Sequence, residues 1–400
     1  MNSSRAHRLL TLKIRPMYLL AVLPGLYYLG NLIRLMNISM LPYYLFMAAA
    51  GVAGLAYALG QKKYNVTYLV LFFTAYIVTL AFNWLIVRNN SISTIASNFL
   101  LLGIALLLLL DLHSLKFGAF VFYTSAVMIL YRMFTSGRRR ILTSSANYIS
   151  IAILLPCALY YMALEKEKGE VRFIDLLPAV IAFNISIMAE GRGGILSCLV
   201  LLIAMLLLHM RTLAEGRKRR TVIFVLIFLL AAVILYMRNF SLVDTFLGLG
   251  KYRNRGISTN GRMTLWRSYY EGIRESAAYI LFGGPVNRIQ ATANYGGNTH
   301  NSFIQLHAYN GLVMLLIVAI ASVRAAVSYI REKQFITLTV LLVIILRGMT
   351  DKYIFGQYGM PIFLFLILAP MVRLRRRGAP SAGTDAVRPD GNGEREAYAS

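Results

Sequence analysis

His300 lies in the run Thr299-His300-Asn301-Ser302, directly before a long apolar stretch. A histidine between water and an apolar helix can take a proton from an attacking hydroxyl, or orient it. Read alone, it serves equally well as a polar interface residue or as part of a helix cap. Two arginines have comparable settings. Arg192 sits in a Gly191-Arg192-Gly193-Gly194 turn between two apolar runs, and Arg262 follows Gly261 where an amphipathic stretch begins. The planar guanidinium fork suits a phosphate or pyrophosphate, and glycines let such a ligand approach the backbone. At the first turn of a helix, Arg262 would act together with free N–H groups that also favour an anion. The plainer reading of Arg192 is a snorkelling, topology-setting residue. The aromatic stripe beyond Arg262 (Trp266, Tyr269, Tyr270) reads most simply as packing. His307 is a core histidine or a supporting group, and the sequence assigns it no role.

Other chemistries have no foothold. There is no phosphate-binding Gly-Lys loop, no HExxH, no serine nucleophile elbow and no cluster of metal ligands. From Asn239 to Gly311 the acids are Asp244, Glu271 and Glu275, against seven basic residues. A metal held by carboxylates is not expected there, and no cofactor is implied. Cys157 and Cys198 lie in apolar runs and read as small buried hydrophobes.

The elements that must position these residues are membrane helices. Of 400 residues, 58% are hydrophobic and 14% charged, with a mean hydropathy of +0.62. Soluble chains are about 45–50% apolar. Apolar runs of the length needed to cross a bilayer occur near 17–33, 41–60, 66–87, 94–112, 116–133, 145–164, 173–189, 194–210, 221–238, 301–323, 335–347 and 358–372. The expected fold is therefore all-α and polytopic, with about twelve spans. The first run lacks a small-residue cleavage site and reads as an uncleaved helix. Residues 1–378 form one transmembrane domain, and 379–400 form a disordered tail. The net charge of +25 sits mostly at helix ends, where Lys and Arg meet lipid and set topology. Nucleic acid is not an expected partner.

Lys62-Lys63, Lys116, Arg217 to Arg220, Arg324, Arg331, Lys333 and Arg373 to Arg377 share one side of this topology. By the positive-inside rule that side is cytoplasmic, with both termini. The long loop 239–300 and Arg192 then face the other way. So does Arg138-Arg139-Arg140, which disagrees with the rule. Within the loop, an amphipathic helix is expected from about Asn260 to Phe282, on the spacing of Trp266, Tyr269, Ile273, Ala277 and Ile280. Gly283-Gly284-Pro285 ends it, and Asn294 to Asn298 is a loop.

The order of these features resembles the O-antigen ligase/polymerase family of bacterial envelope glycosyltransferases. They are a glycine-flanked arginine before a span, a basic loop and another span, a long loop opening on Gly261-Arg262 and Trp266, and a close at His300-Asn301-Ser302 and Gly311. The likeness is clearest from Phe183 to Gly311. It implies a GT-C-like enzyme of the bacterial inner membrane with a periplasmic catalytic loop. The donor would be a glycan on undecaprenyl pyrophosphate and the acceptor a sugar hydroxyl, with neither metal nor nucleotide. Arg192 and Arg262 match the family's pyrophosphate-binding arginines and His300 its loop histidine. Asn301 would hold the loop end, and Trp266 and Arg288 are further substrate contacts. A polymerase would pass the chain to another lipid-linked unit, with a chain-length regulator as partner. A ligase would pass it to lipid A-core. From another class, a lipid or oligosaccharide flippase would show an internal repeat and broken midplane helices.

Overall fold

The computed structural model describes residues 16–60, 64–65, 67–110, 112–136, 147–189, 191–213, 216, 260–294 and 296–374. The chain is an all-α polytopic membrane protein. Its first helices are α1 (Pro16–Leu35), α2 (Leu41–Gly60), α3 (Thr67–Ile86), α4 (Ile92–Leu110), α5 (Gly118–Ser136), α6 (Asn147–Glu167), α7 (Leu177–Met188) and α8 (Arg192–Arg211). Three helices of the long loop follow: α9 (Asn260–Ile273), α10 (Ala277–Phe282) and α11 (Gln290–Ala293). The last three are α12 (Ser302–Arg331), α13 (Phe335–Gly348) and α14 (Met360–Leu368). Among the described residues, seven helices are long and apolar enough to cross a membrane: α2, α3, α4, α5, α6, α8 and α12. α1, α7, α13 and α14 contribute shorter apolar helices. Each overlaps an expected span, while the span expected at 221–238 lies outside the described residues, as do the tail and Arg138 to Arg140.

Helices that are apolar all round belong either in a core or in lipid, and both cases occur. Leu101 to Leu110 of α4 and every residue of α14 are buried. On the periphery, α2 and α3 turn Leu45, Val52, Leu59, Val70 and Leu71 outward. In water such a surface would be an aggregation site. In a bilayer it meets its own solvent. The α2 and α4 backbones touch because Gly51, Gly54 and Gly103 stand at their crossing, where a Cβ on Gly54 would collide with the Gly103 carbonyl.

The helix ends gather at two faces. At one face, Arg132 Nη2 donates to Met36 O (3.4 Å), Asn90 Nδ2 to Tyr309 O (3.0 Å) and Arg347 Nη2 to Asn147 O (3.1 Å). These bonds join the ends of α1, α3, α5, α6, α12 and α13. At the other face, Thr337 N donates to Glu165 Oε2 (2.9 Å), and Tyr64–Asn65 pairs antiparallel with Arg373–Leu374. The loop helices α9 to α11 and His300 belong to the first face.

α12 is broken at Gly311, whose φ of 76° and ψ of −177° lie far from the helical region. The break frees carbonyls near its outer end, and asparagines meet them. Asn83 Nδ2 donates to Phe282 O (2.7 Å) and Ala308 O (2.9 Å), and Asn89 Nδ2 to Ala308 O (3.2 Å) and Gly284 O. Buried carbonyls demand partners, so these asparagines on and just after α3 dock the loop helices onto the bundle.

Candidate functional site

His300 is held by its neighbours in sequence. Its backbone is left-handed (φ 51°), a conformation histidine and asparagine tolerate better than most residues. Its N–H donates to Asn298 Oδ1 (2.9 Å) in a tight turn. Asn301 then caps α12, its Oδ1 accepting from Phe303 N (2.8 Å) and Ile304 N (3.1 Å). Its other amide atom, Nδ2, donates to Met349 O (3.2 Å). Thr299 Oγ1 donates to Asn301 O (2.9 Å), and Trp266 Nε1 donates to Thr299 O (2.8 Å). The turn bearing His300 is thus tied to α9 on one side and to the end of α13 on the other.

The residue facing His300 is Asp351. Nδ1 of the ring lies 3.9 Å from Asp351 Oδ1, and the carboxylate is buried while the ring is 27% exposed. Asp351 is in turn fixed by Arg347 Nη2 (3.4 Å) and by the Lys352 N–H (3.0 Å on Oδ1). Arg347 is fully buried and also donates to Thr350 Oγ1 (2.9 Å). Burial pushes the His300 pKa down. Asp351 opposes this, while the Arg262 and Lys352 cations add to it, and the net shift is downward. Its surroundings therefore favour the neutral ring, with a carboxylate placed to stabilise it once protonated.

Of the residues expected at a site, the structure brings Arg262 into electrostatic reach of His300 and ties Asn301 and Trp266 to the turn bearing it. Arg192 is the first residue of α8 and not part of the preceding turn, because Gly191 takes the extended N-cap position. Its neighbour Gly193 packs against the same cluster: a Cβ there would lie 2.6 Å from Thr350 Oγ1 and 3.3 Å from Arg347 Nη1. Arg288 is exposed in the turn after Pro285 and lines neither cavity described below.

The helix expected to run from Asn260 to Phe282 is two helices. The first ends at Ile273, and Ser276 caps the second, its Oγ accepting from Ala278 N (3.2 Å). The apolar spacing continues through this break, which is why periodicity does not reveal it. The expected loop at Asn294 to Asn298 is preceded by the single turn of α11 and contains Gly296 and Gly297, both with positive φ. Arg347, Asp351 and Lys352 are not singled out by the sequence reading. The available signal was a polar run, Arg347 to Lys352, interrupting two apolar helices, with Arg and Asp four residues apart.

A cleft of about 1520 Å³ separates α9 and α10 from α12 and α13. Tyr270, Ile273 and Ile280 line one wall, and Phe303, Leu312, Leu315 and Ile345 the other. Asn301 and Trp266 also line it, so it reaches the residues beside His300. His307 forms a fixed chain at its edge. The Gly284 N–H donates to Tyr269 Oη (3.3 Å), Tyr269 pairs with His307 Nδ1 (2.7 Å), and His307 Nε2 lies 3.0 Å from Ile280 O. A carbonyl can only accept, so Nε2 carries the proton and Nδ1 accepts from the tyrosine. This chain braces α9 and α10 on α12. Among the described residues no three His, Cys, Asp or Glu side chains gather to hold a metal ion. Neither a family model nor a curated protein matches the chain.

Proposed function

We propose that this chain is a membrane glycosyltransferase. It moves a glycan from undecaprenyl pyrophosphate to an acceptor sugar hydroxyl at the periplasmic face of the bacterial inner membrane, polymerising repeat units of an envelope polysaccharide. The fold would be the twelve-span, GT-C-like one with the catalytic loop between spans nine and ten. The observation that carries the reading is a partly exposed His300, 3.9 Å from the buried Asp351 carboxylate and within electrostatic reach of Arg262, beside a large cleft with apolar walls. A polyprenyl donor needs such a cleft for its chain, a cationic end for its diphosphate and a base for its acceptor.

In the proposed step the acceptor hydroxyl oxygen attacks the anomeric carbon. The bond from that carbon to the pyrophosphate oxygen breaks, and the electron pair leaves on undecaprenyl pyrophosphate. The hydroxyl proton passes to His300, whose imidazolium Asp351 stabilises. Arg262 and Arg192 offset the charge growing on the leaving group. Trp266 and Asn301 hold the walls between which this happens.

The test is transfer by purified protein given an undecaprenyl-pyrophosphate oligosaccharide, with a chelator present and the products resolved by length. We expect a ladder of longer lipid-linked glycans, reduced about 10²–10⁴-fold in His300→Ala and strongly in Arg262→Ala and Arg192→Ala. Transfer only when lipid A-core is supplied would make the protein a ligase with the same site. Three variants that turn over like wild type would remove the site assignment.

One observation favours a transporter, the break of α12 at Gly311, since transporters bind ions at interrupted helices. Here asparagine side chains occupy the carbonyls of Ala308 and Tyr309, which leaves those carbonyls little capacity for an ion. Movement of lipid-linked glycan across a liposome without any transfer would reverse that judgement.

A further inference from the structure

A second, smaller cavity of about 260 Å³ lies between α3, α4, α12 and the segment that follows α13. It shares a wall with the site. Gln305 Oε1 accepts from the Thr299 N–H (3.4 Å), one residue before His300, and Lys352 follows Asp351. Its chemistry is the opposite of the apolar cleft's. Ser93, Thr94 and Ser97 of α4 present hydroxyls on one wall, and Gln305 and Asn310 of α12 present amides on the other. Lys352 supplies a cation, and no Asp or Glu lines the cavity.

One buried atom here lacks a partner. Asn310 is 1% exposed. Its Nδ2 donates to Tyr76 O (3.1 Å) and Thr79 Oγ1 (3.0 Å), but its Oδ1 accepts nothing. Gln305 is 2% exposed. Its Oε1 accepts from the Thr299 N–H (3.4 Å), and its amide also reaches the Tyr309 hydroxyl. An unmet buried acceptor is costly, and a hydroxyl group of a ligand would satisfy it. Lys352 has no salt bridge among the described residues; burial pushes its pKa down, and the neighbouring Asp351 carboxylate only partly opposes this. A cation in a confined polar cavity is satisfied by an anion.

We propose that this cavity is a subsite for one acidic sugar ring of the glycan, a hexuronate or a sugar of the same charge. Its carboxylate would meet Lys352 and its hydroxyls would meet Asn310, Gln305 and the α4 hydroxyls. The cavity has room for a single ring, not a chain. The proposal rests on the reading that the substrate is a glycan, and it gives that glycan a negative charge near the transferred bond.

The test is binding, which does not depend on turnover. The full-length protein in detergent is titrated with methyl glucuronoside, methyl glucoside and inorganic pyrophosphate, followed by saturation-transfer NMR. The uronoside should bind at least tenfold more tightly than the glucoside. Lys352→Gln should bring the two together by weakening only the uronoside. Ser97→Leu breaks no hydrogen bond shown here and puts bulk in the cavity, so it should weaken both sugars while leaving thermal stability unchanged.

Equal affinity for the two sugars in wild type would overturn the acidic assignment. Uronoside binding unaffected by Ser97→Leu would overturn the location. Pyrophosphate that displaces the uronoside in wild type and loses affinity in Lys352→Gln would give the lysine to the diphosphate and overturn the subsite. Sugar binding without transfer would remove the enzyme reading and leave the subsite standing. Transfer without sugar binding would do the reverse.

Discussion

At the scale of the residue, the site is defined by what surrounds one imidazole. In the proposed reaction the working form of His300 is neutral, so activity should fall as pH drops through its pKa. Burial, Arg262 and Lys352 hold that pKa below the ordinary histidine value of about 6.5. The acid limb of kcat/KM in the transfer assay should therefore lie below that value. Arg262→Gln removes a cation that disfavours the imidazolium, so the limb should move to higher pH. Asp351→Asn removes the anion that favours it, so the limb should move to lower pH. Both variants should also lower the plateau, but the direction in which the limb moves is separate from its height. Movement of both limbs in the same direction would mean His300 is not the titrating group. Only part of this environment is legible in the sequence. His300, Arg262 and Asn301 stand out because each sits at a boundary between polar and apolar chain. Arg347 is the last residue of an expected span, and Asp351 sits in what reads as the short connection after it. Their roles come from the fold, which turns the end of α13 beneath the cap of α12, so that Asn301 reaches Met349 and Ser302 Oγ donates to the Asp351 carbonyl (2.7 Å).

At the scale of the element, α12 does two jobs, and Gly311 divides them. Its first turns carry the cap, Gln305, His307 and Asn310, and the remainder is an apolar helix. In an unbroken helix, Gly311→Ala would stabilise by about 1 kcal/mol, because alanine is the better helix former. At the observed φ of 76° and ψ of −177° the sign reverses. That region is almost restricted to glycine and costs another residue roughly 1–3 kcal/mol. A Cβ there would also collide with the Leu281 carbonyl. Gly311→Ala should lower the thermal midpoint of the detergent-solubilised protein and loosen α10, read as faster amide exchange at Ala277 to Phe282. A higher midpoint would mean that α12 runs straight through. Hydropathy finds α12 because its apolar length is long. It does not find the break, since a lone glycine among Asn310, Leu312 and Val313 leaves the average unchanged. The same limit explains α9 and α10, where the apolar spacing continues through the Ser276 cap.

At the scale of the whole molecule, the bundle sorts its polar chemistry by face. His300, Asp351, Arg347, the asparagines near α3 and both cavities lie toward one face, while the Glu165–Thr337 contact and the paired Tyr64–Asn65 and Arg373–Leu374 segments mark the other. Helix existence and type were legible from apolar length, and the alternation of faces follows from counting helices. Which face meets the cytoplasm follows only from the lysine and arginine bias, and Arg138 to Arg140 count against that bias. A lipid-linked donor presented outside the cell membrane requires the His300 face to be periplasmic, so orientation bears directly on the proposed reaction. Cys157 and Cys198 are both fully buried, which makes the native chain a quiet background for labelling. Glu275, between α9 and α10, and Glu332, after α12, are exposed on opposite faces. In spheroplasts, a membrane-impermeant maleimide should label Glu275→Cys at once and Glu332→Cys only after the membrane is opened. The reverse pattern would place the site in the cytoplasm, where a glycan awaiting export could not be polymerised on the far side. That single result would count against the glycosyltransferase proposal more heavily than the loss of any one side chain.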